Sequence, residues 1–324
     1  MNRTPLLALA AMVLTLLIGA LLDGRAVMAA GLSAAVTCVT LALGCLFWGF
    51  LLPLVRGQWR AALGPSLAVG LASLPWALLG LLILLPAAWL LYPWSEHPTE
   101  GFRGFWLQPI TFVFRALIYA GLWLWLSSWL RVGMGQVRAG IGVIELVLSL
   151  SAAGIDWLMS LDAHLASTLF GLFYVLRALL MGLAFAGLTG GPHSQRIVRG
   201  LLLGACIFWL YLQFMQYLIV WAGNLPREIH WYLERSTHGW GAVAGVLALT
   251  QAVLPLMLLA LPWGKRPRVL HWACGLTLLS GFVESSWLGL PSLGLAPSLW
   301  LPLAWLAWAG AIASLTLWRR RHER

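Results

Sequence analysis

The sequence predicts an all-α integral membrane protein with about ten transmembrane helices. Of its 324 residues, 61% are hydrophobic and only 9% are charged, whereas soluble domains average about 45–50% and about 25%. A spanning helix needs roughly 20 predominantly apolar residues. Ten stretches meet that requirement: residues 5–22, 30–55, 65–91, 106–130, 139–161, 164–189, 197–222, 240–262, 269–290 and 297–318. Their connections are short, so we expect residues 1–324 to form one polytopic membrane domain.

The first segment has two interpretations. The run "PLLALAAMVLTLLIGALL" follows Arg3, and "VMA" a few residues later resembles a weak cleavage site, as in a signal peptide. Its apolar core is longer than that of most signal peptides, so we favour a retained helix. The direction of the second segment is the same in both cases.

The loops carry a strong charge asymmetry. Alternate loops and both termini hold most of the basic residues: Arg3, Arg56, Arg60, Arg131, Arg138, Arg196, Arg199, Lys265, Arg266, Arg268, Arg319, Arg320, Arg321 and Arg324. The other loops hold only Arg25, Arg103, Arg227 and Arg235. Because cytoplasmic loops are enriched in Lys and Arg, both termini are predicted to be cytoplasmic.

The net charge of +10 would suggest nucleic acid binding in a soluble chain. Here the excess lies in short loops, so it indicates topology, and no nucleic acid partner is expected. The four cysteines are predicted to be buried apolar residues, since they lie inside apolar runs without a CxxC pair. They are Cys38, Cys45, Cys206 and Cys274.

Charged residues also occur inside the fourth, fifth and sixth segments, where each costs at least about 2.5 kcal/mol on insertion scales. Neighbouring segments form antiparallel hairpins that rise about 1.5 Å per residue, so residues equally far from a turn share a depth. By this rule Glu145 is level with Arg177, and Asp156 is level with Arg115. The sequence therefore predicts two carboxylate–guanidinium pairs within the membrane.

These charges have two interpretations. The pairs can serve only to fix helix register, or they can belong to a proton path. In the second case the path runs inward in the order Asp162, His164, Asp156, Arg115, Glu145 and Arg177. Histidine suits its outer entrance, because the unperturbed histidine pKa lies near neutrality.

Two further acidic residues leave alternatives open. Asp162 can instead N-cap the sixth segment, with His164 as an interfacial polar residue in its first turn. Glu284, in the ninth segment, has no charged residue level with it in the eighth or tenth. It is expected to be protonated, bonded to a serine, or part of a second polar path.

Two long blocks carry a family resemblance. The run "DWLMSLDAHLASTLFGLFYV" (Asp156 to Val175) is similar to the D-W-x-M-S-L-[DE]-x-H-x-x-S-T-x-F-G motif of the ActF-type membrane subunit of bacterial alternative complex III, a quinol:cytochrome c oxidoreductase. The block "FWLYLQFMQYLIVWAGNLPREIHWYLER" (Phe208 to Arg235) resembles a second motif of that family. One position departs, because Arg227 stands where the motif has its first glutamate after N-[IL]-P.

The resemblance implies two four-helix bundles with peripheral first and last helices, as in the NrfD/PsrC membrane family. It also implies residence in the bacterial cytoplasmic membrane and partner chains: an iron-sulfur subunit, a sister NrfD-like subunit, haem c subunits and often a terminal oxidase. The expected ligand is a quinol, menaquinol or ubiquinol, with no covalently bound cofactor. Electrons would then pass to cofactors in the partners, so the chain is not expected to be catalytic alone.

A quinol site needs an apolar slot, a proton acceptor near the head group and hydrogen-bond donors. At the outward ends of the fifth to seventh segments, Asp162 and His164 are candidate acceptors. The candidate donors are Gln213, Gln216, Tyr217 and Asn224; ordinary polar packing and loop capping are the alternative for these four.

Three functions remain open at this point. The chain is a quinol-interacting or proton-conducting subunit, a noncatalytic membrane anchor of a redox complex, or an ion or solute transporter. Transport would be favoured by paired Gly/Pro interruptions of the apolar segments, which the sequence does not display convincingly.

Overall fold

The computed structural model describes residues 4–96, 101–132, 134–162 and 165–322, and this part of the chain is helical without strands. Nine stretches within it are long and apolar enough to span a membrane, which confirms the predicted all-α multi-pass membrane fold. The helices are α1 (Thr4–Leu51), α2 (Trp59–Leu71), α3 (Leu74–Ala88), α4 (Pro93–Glu96), α5 (Gly101–Trp106), α6 (Pro109–Val132), α7 (Gln136–Trp157), α8 (Phe170–Thr189), α9 (Pro192–Gly223), α10 (Pro226–Glu234), α11 (Trp240–Ala248), α12 (Leu254–Ala260), α13 (Pro267–Gly289) and α14 (Trp300–His322).

Helix α1 contains the first two predicted segments. A straight helix of its 48 residues would be about 72 Å long, more than twice the hydrocarbon thickness of about 30 Å. Asp23 leaves the helical conformation at φ −156° and ψ 75°, and its carboxylate accepts the N–H of Ala26 at 3.2 Å. The chain reverses there, so closely that a Cβ added to Gly19 would collide with Val27. With α1 crossing twice, the described residues make ten crossings.

The eight central crossings pack as two groups of four with the first and last crossings at the periphery. The second arm of α1 joins α2–α3, α6 and α7 in one group, and α8, α9, α11–α12 and α13 form the other. The groups meet where α1 lies against α8. Gly44 and Gly182 face each other there, and a Cβ added to Gly182 would lie 2.5 Å from the carbonyl carbon of Gly44.

Several helix boundaries differ from the predicted ones. The sixth segment was expected to start at residue 164, but α8 begins at Phe170. The predicted cap is therefore wrong, because Asp162 accepts the N–H of Leu165 at 3.1 Å and closes a turn before the helix. The seventh segment is longer than expected, since α9 has 32 residues, about 48 Å.

Candidate functional site

The predicted pair between Arg115 and Asp156 is confirmed. The Arg115 Nε atom lies 2.8 Å from Asp156 Oδ2, and Nη2 donates to Oδ1 at 3.1 Å. Helices α6 and α7 supply the two side chains, as their matched depths required. Only 1% of the Asp156 side chain and 11% of the Arg115 side chain are exposed.

Aromatic donors complete this ion pair. Tyr119 Oη donates to Asp156 Oδ2 at 2.9 Å, and Trp106 Nε1 donates to Oδ1 at 2.8 Å. Arg115 also donates to the Trp106 carbonyl at 2.5 Å and stacks on its ring, 4.2 Å from the centroid. The carboxylate thus receives four hydrogen bonds, which is near the acceptor capacity of an ionised carboxylate. We call these four residues the α6–α7 cluster.

The predicted pair between Glu145 and Arg177 is wrong. Arg177 instead faces Glu284, with Nε 3.9 Å from Oε2 and both side chains 2% exposed. Its Nη2 donates to Thr37 Oγ1 at 2.9 Å and to Ser285 Oγ. Arg177 therefore joins α1, α8 and α13 at the meeting of the two helix groups.

Glu284 has a second set of partners on its other oxygen. Trp209 Nε1 donates to Oε1 at 2.8 Å, and Gln213 Nε2 donates to the same atom at 3.4 Å. Both donors lie on α9. Trp209, Gln213, Glu284 and Arg177 together form what we call the α9–α13 cluster.

Glu145 lies in neither cluster. Its side chain is exposed on the outer face of α7, beside Ile144 and Leu148, which are 60% and 63% exposed. Matched depth alone does not predict a pair, because it does not give rotation about the helix axis, where each residue turns about 100°. The predicted order of the proton path is therefore broken, because its charges separate into two clusters and one outward-facing carboxylate.

The predicted outer entrance is described only in part, because His164 lies outside the described residues. Asp162 is buried, at 6% exposure, and accepts a hydrogen bond from Ser292 Oγ at 3.1 Å. Asp162 also attracts the nearby Arg235 guanidinium, whose pKa is lowered by burial and raised by this carboxylate. Asp162 thus belongs to the loops at this end of the molecule.

Arg235 organises those loops, a role that no pattern in the sequence indicates. It donates to the carbonyls of Trp287 at 3.1 Å and Leu288 at 2.5 Å, and to Trp231 at 3.0 Å. Its guanidinium carbon lies 3.7 Å from the centroid of the Trp231 ring. The segment after α9 is thereby fastened to the end of α13.

A cavity of about 190 Å³ lies at this end between α9, α10 and residues 165–169. Ser167, Gln216, Glu228 and Tyr232 line it, and Ser167 Oγ donates to Gln216 Oε1 at 3.2 Å. We call it the outer cavity. Its polar groups are set among apolar side chains, as in a site that orients a small ligand.

A second, narrower cavity of about 20 Å³ adjoins the outer cavity. The two share Leu165, Ser167, Gln216 and Trp231, and the narrower one also reaches Gln213 and Glu284. The lining therefore continues from the outer cavity to the Glu284 carboxylate. A volume near 20 Å³ is about that needed for one water molecule.

Two of the four predicted hydrogen-bond donors line the cavities, and the other two do not. Gln213 and Gln216 line the cavities, whereas Tyr217 and Asn224 line neither of the two. Tyr217 is 51% exposed and meets the ring of Tyr232 edge-on, with centroids 5.5 Å apart. Asn224 ends α9 in the left-handed conformation at φ 49°, which is a capping role.

Two features of the sequence could have identified the α9–α13 cluster. Trp209 lies too deep in its apolar run for an interfacial anchor, and a buried indole N–H needs an acceptor. Glu284 is followed directly by Ser285 and Ser286, a polar run that marks the interior face of α13. Hairpin depths cannot predict a pairing between α8 and α13, because these helices are not consecutive crossings.

Comparisons with known proteins identify no family for this chain, so its function must be inferred from the clusters and cavities described above. The chain matches no protein-family model, and a search of curated proteins finds no significant match.

Proposed function

We propose that this chain is a membrane subunit of a bacterial respiratory complex that oxidises quinol, and that it binds the quinol head group in the outer cavity. The observation that carries the proposal is the continuous lining from that cavity to Glu284. Quinol oxidation releases two protons, and a carboxylate close to the head group is the kind of acceptor it needs.

The size and chemistry of the cavity suit a head group. Its volume of about 190 Å³ is below the ~300–1,000 Å³ of pockets that enclose drug-sized ligands, so an isoprenoid tail would remain in the lipid. Ser167 and Gln216 would hydrogen-bond the quinol oxygens. The exposed Glu228 at the cavity wall is an acceptor for the second proton.

The quinol loses two electrons and two protons and becomes a quinone. One proton passes through the narrow cavity to Glu284, and the other leaves by way of Glu228. The electrons pass to an iron-sulfur cluster or a haem c of a partner subunit. Arg177 supports this step as a fixed positive charge 3.9 Å from the acceptor.

The charge asymmetry and the two family-like blocks support the setting of this reaction. The basic loops favour cytoplasmic termini in the bacterial inner membrane, which puts the outer cavity on the periplasmic side. The blocks from Asp156 to Val175 and from Phe208 to Arg235 resemble the ActF-type subunit of alternative complex III. The partners proposed on that basis are an iron-sulfur subunit, a sister NrfD-like subunit, haem c subunits and a terminal oxidase.

One observation favours a noncatalytic anchor as the second candidate. The Asp156 carboxylate already receives four hydrogen bonds, so the α6–α7 cluster has little capacity to exchange protons. An anchor subunit would need such closed pairs only for stability. The two candidates differ in what they require of Glu284.

The test is quinol-dependent reduction of cytochrome c by the complex purified in mild detergent. Glu284→Gln keeps the shape and a hydrogen-bond acceptor but removes the proton acceptor, and we expect turnover to fall at least tenfold while subunits and haem spectra are retained. Ser280→Ala, one turn earlier on α13, is the matched control. An anchor would give wild-type turnover with Glu284→Gln, and purification of the chain without redox partners would refute both candidates.

A further inference from the structure

A cavity of about 440 Å³ opens at the end of the molecule opposite the outer cavity, between α1, α2, α6 and α14. Arg60, Arg319 and Arg320 line it, together with Leu67 and Leu71. Among the described residues, no aspartate or glutamate lines this cavity. We call it the arginine cavity. Its charge makes it a site for an anion.

The shape of the arginine cavity distinguishes between anions. Its lining runs along α2 from Arg60 to Leu71, a distance of about 16 Å at the rise of an α-helix. Arg60 lies in the first turn of α2, where the helix dipole also favours negative charge. Below the arginines the walls are leucines and small residues. A free phosphate would occupy only the charged end, whereas a phospholipid would fill both parts.

We propose that the arginine cavity binds an anionic phospholipid, with its phosphate at Arg60 and Arg320 and an acyl chain along Leu67 and Leu71. Basic pockets between transmembrane helices on the cytoplasmic side suit such head groups. This site is about 440 Å³ in volume, within the range of small-ligand pockets. It does not depend on the quinol chemistry proposed above.

The probe is delipidated protein in mild-detergent micelles, mixed with cardiolipin, phosphatidylglycerol or phosphatidylcholine and weighed by native mass spectrometry. We expect the two anionic lipids to stay bound and phosphatidylcholine to be lost. Each arginine near an anionic surface contributes roughly fivefold in affinity, so Arg60→Gln with Arg320→Gln should weaken retention about 25-fold. Arg268→Gln, exposed at the same end, is the matched control and should retain lipid.

Three results would overturn the proposal. They are equal retention of phosphatidylcholine, unchanged retention by the double variant, and thermal protection by inorganic phosphate alone that matches protection by lipid. If the double variant does not fold, the salt dependence of lipid retention by the wild-type protein still tests the proposal. Anionic lipid held by arginines must be released as the salt concentration is raised. Retention that is independent of salt would refute the site.

A second, independent inference concerns Glu145. It lies about 14 Å along α7 from Gln136 and about 18 Å from Trp157, close to the middle of a hydrocarbon layer about 30 Å thick. Its side chain is exposed between Ile141 and Leu148, and its carboxylate has no hydrogen bond or ion pair within the part of the chain that the structure describes. A charge in lipid at that depth costs about 2.5–3.5 kcal/mol on insertion scales.

We infer that the Ile141–Leu148 face of α7 docks a transmembrane helix of a different chain, which carries an Arg, Lys or His level with Glu145. A second copy does not meet this need. The deep basic residues among those described, Arg115 and Arg177, are already paired inside their own chain. A two-fold axis through this face would also bring two carboxylates together. This inference adds a contact to the proposed complex without using its quinol chemistry.

The test uses a photoreactive residue at Leu148 in native membranes, with Ile83 as the control because it is 61% exposed on α3. We expect Leu148 to cross-link to a transmembrane peptide of another chain that has a basic residue within one turn. Glu145→Gln should reduce that yield severalfold, and Glu145→Arg should abolish it until the partner's basic residue is changed to Glu. Cross-links to a second copy, to lipid only, or in unchanged yield with Glu145→Gln would refute the inference.

Discussion

Replacing Arg115 with leucine is expected to destabilise the protein by about 3–5 kcal/mol, because it leaves a buried carboxylate without its counter-charge. The structure sets the size of the effect. Arg115 supplies two of the four hydrogen bonds to Asp156, at 2.8 and 3.1 Å, and Tyr119 and Trp106 supply the other two. Two neutral donors then remain for a side chain that is 1% exposed.

Two companion variants separate the contributions to this loss of stability. Tyr119→Phe removes one hydrogen bond to a charged acceptor and should cost about 1.5–3 kcal/mol. Arg115→Leu combined with Asp156→Leu removes both charges, and we expect at least half of the stability lost in the single variant to return, since apolar replacement of a buried pair is often neutral or stabilising. Arg138→Leu, at an exposed position, is the control and should change stability by less than about 0.5 kcal/mol.

The assay is the free energy of unfolding from denaturant titration in mild-detergent micelles, followed by tryptophan fluorescence. Two results would refute the reasoning. One is an Arg115→Leu variant no less stable than Tyr119→Phe, which would mean that the ion pair contributes little beyond one hydrogen bond. The other is a double variant that loses the sum of its single losses, which would mean that the two charges do not interact.

Three further predictions follow from close contacts. Gly44→Leu should lower the melting temperature measured in detergent, because its side chain would collide with the α8 backbone, whereas Gly204→Leu, which faces open space, should not. Trp209→Phe should cost about 1.5–3 kcal/mol in unfolding free energy through the lost bond to Glu284, and an unchanged titration would contradict that bond. Arg235→Gln should speed amide exchange in residues 224–239, because it removes the ties to α13, and exchange at the wild-type rate would argue against them.

Equal depth on neighbouring crossings predicted one ion pair correctly, whereas rotation about the helix axis could not be predicted from the sequence. Arg115 and Asp156 lie on consecutive crossings, so equal depth and adjacency were enough to pair them. Glu145 and Arg177 were also expected to be level, but the Glu145 side chain is exposed and Arg177 faces Glu284 instead. The missing information is the face that each helix turns inward, and α7 carries polar residues on both faces, with Glu145 exposed and Asp156 buried, so polarity does not reveal its inward face.

The candidate site was predictable in part for the same reason. Gln213 and Gln216 were assigned to the outward ends of the helices, and both line a cavity there. Equal depth predicts partners only between neighbouring crossings, whereas Arg177, the partner of Glu284, is three crossings earlier in the chain. Contacts between distant crossings depend on how helices pack, which local sequence does not encode.

The contact between Gly44 and Gly182 has a mechanical consequence. Two helix groups that meet through side chains can slide, because side chains change rotamer as the groups move. At this point backbone touches backbone, so no soft layer lies between the groups, and Arg177 bonds to Thr37 on one side and Ser285 on the other. A transporter that works by rocking one half against the other would have to break this junction in every cycle. We therefore expect the two groups to resist sliding against each other at this junction, which is the opposite of what a rocking transporter requires.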